Sequence, residues 1–231
     1  MFKSRLVECV ERLLETMDGA ERIGVLVFDA RSEHTVAPLK QSARFQVLRT
    51  GRDEAATLEA AEALHEAGCD LILTWGMADS LDQDQAAGSL IVPTRVIDTA
   101  ADEAFETAVT STRRSDRVVL ISTENLQDKS AKRRFGMRYQ AVAADVESAT
   151  VARFSTWNGI RFAVVRCIAD TALEAWASKE PTRLHRHIHQ TLPVSWRPWF
   201  VSPSRMWQRW KEQNRAQRQL HLAAQSLAGQ I

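Results

Sequence analysis

Glycine is scarce in this chain of 231 residues, with only 9, about 4% where roughly 7% is usual. Neither G-x-G-x-x-G nor G-x-x-x-x-G-K-S/T occurs, so the fingerprints of a dinucleotide-binding fold and of a P-loop are both absent. The three cysteines, Cys9, Cys69 and Cys167, are odd in number and far apart. That excludes a disulfide scaffold or a thiolate zinc site and fits a reduced, cytoplasmic chain. No stretch of about 18 apolar residues is present, so no membrane-spanning helix is expected. The opening MFKSRLVECVERLLETM has acids through its apolar stretch and no cleavage signal, so it does not read as a secretory leader. Lys and Arg number 30 against 29 Asp and Glu. A net charge of +1 excludes a globally basic nucleic-acid binder and an acidic disordered chain.

What remains is ordinary globular material. The chain is 45% hydrophobic, enough for a sizeable core, and its length suits one large domain with an appendage. Phe2, Leu6, Val10, Leu13 and Leu14 recur at helical spacing and predict an amphipathic opening helix. Short apolar runs predict strands at 23–28, 45–48, 71–75 (ending at Gly76), 90–97 (interrupted by Pro93), 117–122, 141–144 and 162–168. Helices are expected at 53–67, 101–110, 128–138 and 146–157. Strands alternating with helices predict an α/β domain with a largely parallel sheet.

Composition shifts near residue 192. Four of the seven tryptophans follow it: Trp196, Trp199, Trp207 and Trp210. Six basic residues there (Arg197, Arg205, Arg209, Lys211, Arg215 and Arg218) face one acid, Glu212. We therefore divide the chain into an α/β domain at 1–192, with an extra N-terminal helix over 1–20, and a Trp-rich basic helical extension at 193–231. Ser204 is a reasonable N-cap for the closing helix.

Two segments carry the chemistry, Asp145-Val146-Glu147-Ser148-Ala149 and Val165-Arg166-Cys167-Ile168-Ala169-Asp170. Ligands of open α/β sheets bind at the carboxyl ends of strands. Glu147 falls where a strand hands over to a helix, and Asp170 falls at the end of a buried strand. Each also has a plain structural role open to it: Glu147 as an acid in a helix's first turn, Asp170 as the N-cap of a helix beginning at Thr171.

These segments, about twenty residues apart, resemble the D-M-E-S-A and V-R-x-I-S-D motifs of the nucleoside phosphorylase and nucleosidase family. Leu73-Thr74-Trp75-Gly76-Met77-Ala78-Asp79-Ser80-Leu81 is similar to its G-x-A-G-G-L loop, and Gly88-Ser89-Leu90-Ile91-Val92-Pro93 to its G-D-I/L-V-V-P segment. The likeness spans about residues 22–175. Asp29-Ala30-Arg31, the Ser130-Ala131-Lys132-Arg133-Arg134 run and the basic tail resemble the hopanoid-associated branch, thought to remove adenine from adenosylhopane. The resemblance implies a three-layer α/β/α sandwich, a purine nucleoside substrate and at least a homodimer. It implies that Glu147 accepts hydrogen bonds from the ribose hydroxyls and that Asp170 protonates purine N7. Val146, Gly76, Met77, Ala78, Asp79, Asn125 and Ala169 would contact substrate. Arg31 and Thr74 would hold phosphate, the one co-substrate expected in an enzyme otherwise without cofactor or metal.

The sequence also departs from that pattern. Asp79-Ser80 replaces a glycine pair, crowding the loop and repelling a phosphate dianion. Met77 replaces a phosphate-binding serine, Ala169 a serine beside the acid, and Val146 a methionine that lines the ribose. The acidic cluster that activates water in nucleosidases is reduced to Asp29 and Glu33. Hydrolysis, phosphorolysis and a degenerate, non-catalytic nucleoside- or lipid-binding scaffold all stay open. His185, His187 and His189 alternate without a carboxylate or cysteine cluster, so a solvated face rather than a metal site is expected. The tail's Trp with Lys and Arg suits the inner membrane surface or packing on protein, and no nucleic acid is expected.

Overall fold

The computed structural model describes residues 2–51, 53–83, 85–110, 118–123, 129–170 and 203–230. Helix α1 (Phe2–Met17) leads into β1 (Ile23–Val27), α2 (Ala30–Thr35), β2 (Phe45–Arg49), α3 (Glu54–Glu66) and β3 (Leu71–Ser80). Strands β4 (Leu90–Ile91), β5 (Arg95–Asp98), β6 (Glu103–Glu106) and β7 (Val119–Ser122) follow. Helix α4 (Lys129–Tyr139), β8 (Ala143–Asp145), α5 (Ser148–Trp157), β9 (Arg161–Asp170) and α6 (Pro203–Ala228) complete the described chain.

One mixed sheet runs β2-β1-β3-β8-β7-β5-β6, with β9 on the other edge of β3 and β4 against β9. All five residues of β1 are buried, as befits a parallel strand covered on both faces. On one face α1 and α6 bury Val10, Leu13, Met17, Leu220 and Leu227 in the largest apolar cluster. On the other, α3 and α5 pack Leu64, Val151 and Phe154 against Leu26 and Ile72. The result is the expected α/β/α sandwich. Gly24 allows α3 to lie this close: a Cβ there would stand 2.6 Å from Leu64 Cδ1. Asp53 caps α3 by accepting from the Ala56 amide at 2.9 Å.

The 101–110 helix is not formed. Residues 103–106 instead build β6, antiparallel to β5 with Val96 opposite Phe105. Ala and Glu are good helix formers, but intrinsic propensity yields readily to tertiary context, and here edge pairing and burial of Phe105 outweigh it. Asp102 at φ 55 turns the chain between the two strands. The expected stop of β3 at Gly76 is also absent, since the strand continues to Ser80. Helix α2, six residues long, is too short to show in the apolar pattern; Asp29 caps it by accepting from the Ser32 amide.

Helix α6 contributes to the main core as well as to the surface. Ala216, Leu220, Ala223, Ala224 and Leu227 form a fully buried stripe at helical spacing, packed on α1, α2 and β9. Trp207 and Trp210, two turns earlier, are exposed.

Candidate functional site

The central strand β3 changes partner partway along one edge. Its pairing with β1 ends at Val27–Trp75, and its pairing with β8 begins at Asp79–Ala144. Between them lie Gly76, Met77 and Ala78. The opposite edge pairs continuously with β9 except for an irregularity between Ala78 and Asp79. Such a break in strand neighbours is where open α/β sheets place their ligands. A Cβ on Gly76 would meet Arg166 Nη1 and Ser32 Oγ, each at 3.7 Å. The first turn of α2 and the β9 arginine thus converge on this glycine.

Arg166 organises one half of the site. It is fully buried in the middle of an apolar strand, and a buried guanidinium requires paired charge and satisfied donors. Its Nε donates to Asp145 Oδ2 at 2.7 Å and its Nη2 to Ser148 Oγ at 3.1 Å. Ser148 Oγ in turn donates to Asp145 Oδ2. The guanidinium lies 5.5 Å from the Phe28 ring centre and 3.9 Å from Glu147 Oε2. Asp145 also accepts from the Ser148 amide. That settles which acid serves the α5 N-terminus: Glu147 occupies the cap position without a side-chain cap bond. Its carboxylate, buried to 6% exposure, turns towards Arg166 instead.

Lys132 organises the other half. It projects from α4 and is 2% exposed, with Nζ 3.2 Å from Asp170 Oδ2 and 3.6 Å from Asp79 Oδ2. Asp170 is the last residue of β9 and stands in register with Asp79. Two carboxylates on adjacent strand ends repel one another, and the ammonium between them offsets that repulsion. Asp79 therefore has a structural partner that its crowding role did not anticipate. Ser80 is buried, its hydroxyl donating to the Asp82 carbonyl at 2.6 Å.

The two phosphate candidates differ in their settings. Arg31 is exposed, and its Nη1 donates to Gln213 Oε1 of α6 at 2.9 Å. Thr74 is wholly enclosed between Leu26 of β1 and Val164 of β9. Its hydroxyl finds no partner among the described residues. Burial inside the sheet sets Thr74 apart from exposed Arg31. Val146 is 37% exposed at the mouth of the turn, whereas Ala78 is buried and Met77 and Ala169 are half-buried. Asn125, the three alternating histidines, Trp196, Trp199 and the segment from Thr171, where a helix is expected, lie outside the described residues. Among the described residues, no group of three or more His, Cys, Asp or Glu side chains is placed to hold a metal ion.

Lys132, Arg166, Asp145 and Ser32 are site residues that sequence reasoning did not assign. Arg166 had a signal: a charge inside an apolar strand implies a buried counter-ion. Lys132 had none, because it sits in a charged helix that reads as solvated.

A mixed sheet with this switch in strand partners, covered by helices on both faces, is the nucleoside phosphorylase and nucleosidase fold. Among solved structures it is similar to the 5′-methylthioadenosine/S-adenosylhomocysteine nucleosidase (MTAN) of Helicobacter pylori, seen in a mutant with 5′-methylthioadenosine in its active site. The TM-score is 0.62 at 14% identity, over 91% of this chain and 99% of that one. Futalosine hydrolase of Helicobacter pylori matches with a TM-score of 0.57 at 16% identity, covering 90% and 94%. The nucleosidase of Neisseria meningitidis in complex with methylthio-immucillin-A matches at 0.54 and 13%, covering 66% and 87%. No protein-family model matches the sequence. No curated protein matches it either.

Proposed function

We propose that the chain hydrolyses the N-glycosidic bond of an adenine nucleoside. The observation that carries this reading is the pair of buried carboxylates, Glu147 and Asp170, flanking the end of β3. Asp79 of β3 stands between β8 and β9, which are therefore two strand spacings apart, roughly 10 Å. A ribose on the Glu147 side and a purine on the Asp170 side fit across that interval. Glu147 accepts hydrogen bonds from the 2′- and 3′-hydroxyls, two donors for two oxygens. Asp170 takes up a proton from solvent on the oxygen turned away from Lys132 and passes it to purine N7. The C1′–N9 bond breaks with its electron pair leaving on the base, water adds to C1′, and the proton that water loses passes to solvent.

Charge favours water over phosphate. Among the described residues, four carboxylates (Asp79, Asp145, Glu147 and Asp170) face two cations, Lys132 and Arg166, each already ion-paired. A phosphate dianion entering this field is repelled. The names of the structural neighbours, a nucleosidase and a hydrolase, support the same choice. The test is adenine release from adenosine and 5′-methylthioadenosine, measured by chromatography with and without phosphate. Release that is independent of phosphate and abolished by Asp170→Asn is expected. Release only with phosphate overturns the choice of nucleophile, and no release from either nucleoside overturns the hydrolase reading for these substrates.

A second observation favours an apolar 5′ substituent, such as that of adenosylhopane. Trp207 and Trp210 are about half exposed, stack at 4.9 Å between ring centres, and carry Lys211 Nζ 5.2 Å from the Trp207 ring. Arg31 and Gln213 tie the same helix to the switch-point end of the sheet. An aromatic–basic surface there would let a cytoplasmic enzyme take a lipid-linked nucleoside from the inner membrane face. We further propose that it acts as at least a homodimer, which light scattering tests directly.

A further inference from the structure

We propose that Lys132 is the positioning residue for recognition of the leaving base, holding Asp170 through one carboxylate oxygen and using Asp79 as its second anchor. This rests on the nucleosidase reading, in which Asp170 meets the purine. The geometry is specific. Lys132 reaches from α4 to the ends of two strands, and its ammonium lies 3.2 Å from Asp170 Oδ2 and 3.6 Å from Asp79 Oδ2. A buried lysine is costly unless paired and hydrogen-bonded, and both partners here belong to the end of the sheet where ligand is expected. The contact at Oδ2 fixes the rotation of the Asp170 carboxyl about its Cβ–Cγ bond, and with it the direction in which the other oxygen points.

The two anchors differ in burial. The Asp170 side chain is 8% exposed and the Asp79 side chain 38%. The lysine therefore links an enclosed acid to one that faces the opening. Asp79 and Asp170 are in register on neighbouring strands, so without the ammonium two like charges would lie side by side and push the Asp170 carboxyl away from its set direction. On this view Asp79, at the position of a glycine in the resembled loop, belongs to the base site as part of a three-membered device with Lys132 and Asp170.

The test is adenine binding by titration calorimetry for the wild-type chain, Lys132→Met, Lys132→Arg and Asp79→Asn, with adenine release from 5′-methylthioadenosine measured alongside. Loss of a charge-assisted contact should weaken adenine binding roughly tenfold or more in Lys132→Met. Lys132→Arg should recover most of it, and Asp79→Asn should lose about threefold. Equal adenine affinity in wild type and Lys132→Met overturns the proposal, as does no adenine binding by the wild type. If Lys132→Met does not fold, Asp79→Asn decides: unchanged affinity overturns the proposal and weakened affinity supports it. Adenine binding that depends on Lys132 without adenine release supports the base site while overturning the hydrolase reading, so the two failures are distinct.

Discussion

Arg166 Nε donates to Asp145 Oδ2 at 2.7 Å, joining β9 to β8 across the end of β3 with both groups enclosed. This bond spans the point where β3 exchanges β1 for β8. Removing the arginine alone strands a buried carboxylate, which typically costs about 3–5 kcal/mol. Arg166→Met should therefore lower the thermal midpoint by roughly 10 °C for a chain of this size. Circular dichroism melting checks it, and an unchanged midpoint would show that the pair carries no net stabilisation.

Glu147 is the more exacting test of the ribose site. Asp145 supplies the side-chain cap of α5, so Glu147→Gln leaves the helix start intact. Turnover should fall at least about tenfold, the cost of one charge-assisted hydrogen bond, with little change in melting. Unchanged kinetics would remove Glu147 from the site.

The Asp79-Ser80 pair gives opposite expectations at two levels. As sequence, it crowds a loop that favours glycine, so Gly-Gly should open the pocket. In the fold, Asp79 anchors Lys132 and Ser80 is buried with its hydroxyl bonded to Asp82. We expect Asp79→Gly/Ser80→Gly to slow adenine release severalfold and to lower stability by about 1–3 kcal/mol for the lost buried contacts. Faster release would show that crowding governs the site.

The thiols report on the core. Burial pushes the Cys167 thiol far above its ordinary value of 9.0, and the neighbouring Cys9 adds to the shift. Burial also raises Cys69. A raised thiol value favours the protonated form in the folded state. That stabilisation is complete below about pH 9 and is lost as pH rises, because the unfolded thiol ionises first. Stability should therefore decline above about pH 9, with a shallower slope in Cys167→Ala. Under native conditions, alkylation followed by mass spectrometry should find half-buried Cys9 labelled ahead of the two buried thiols.

The layer order was legible wherever an apolar run or a helical stripe spoke for itself: β1, β2, α3, β9 and the α1 stripe all follow from local pattern. Residues 103–106 did not, because Ala and Glu carry a helical preference that edge pairing with β5 overrides. Glu147 and Asp170 were legible because motif and strand end coincide. Lys132 was not, since only the packing of α4 over the ends of β3 and β9 turns one lysine of a charged helix inward. Thr74 looked available beside Gly76 in sequence, but the pleat and its two neighbouring strands enclose it.

The closing helix needs a test that separates its two roles. Removing residues 204–231 would strip Ala216, Leu220, Ala223, Ala224 and Leu227 from the core, and each buried leucine alone contributes about 1.5–3 kcal/mol. Loss of vesicle binding after such a truncation would therefore report unfolding as readily as lost contact. Trp207 and Trp210 are the better targets because they are half exposed and stack on each other. Trp207→Ala/Trp210→Ala should keep the melting midpoint within a few degrees, as surface changes usually do. If the helix meets a membrane through these rings, the variant should lose severalfold in sedimentation with anionic phospholipid vesicles. Added salt should weaken the wild type further, because Lys211 and its basic neighbours act through a screened field. Equal sedimentation of wild type and variant would remove the membrane surface from the substrate reading and leave a water-soluble nucleoside as the molecule to look for.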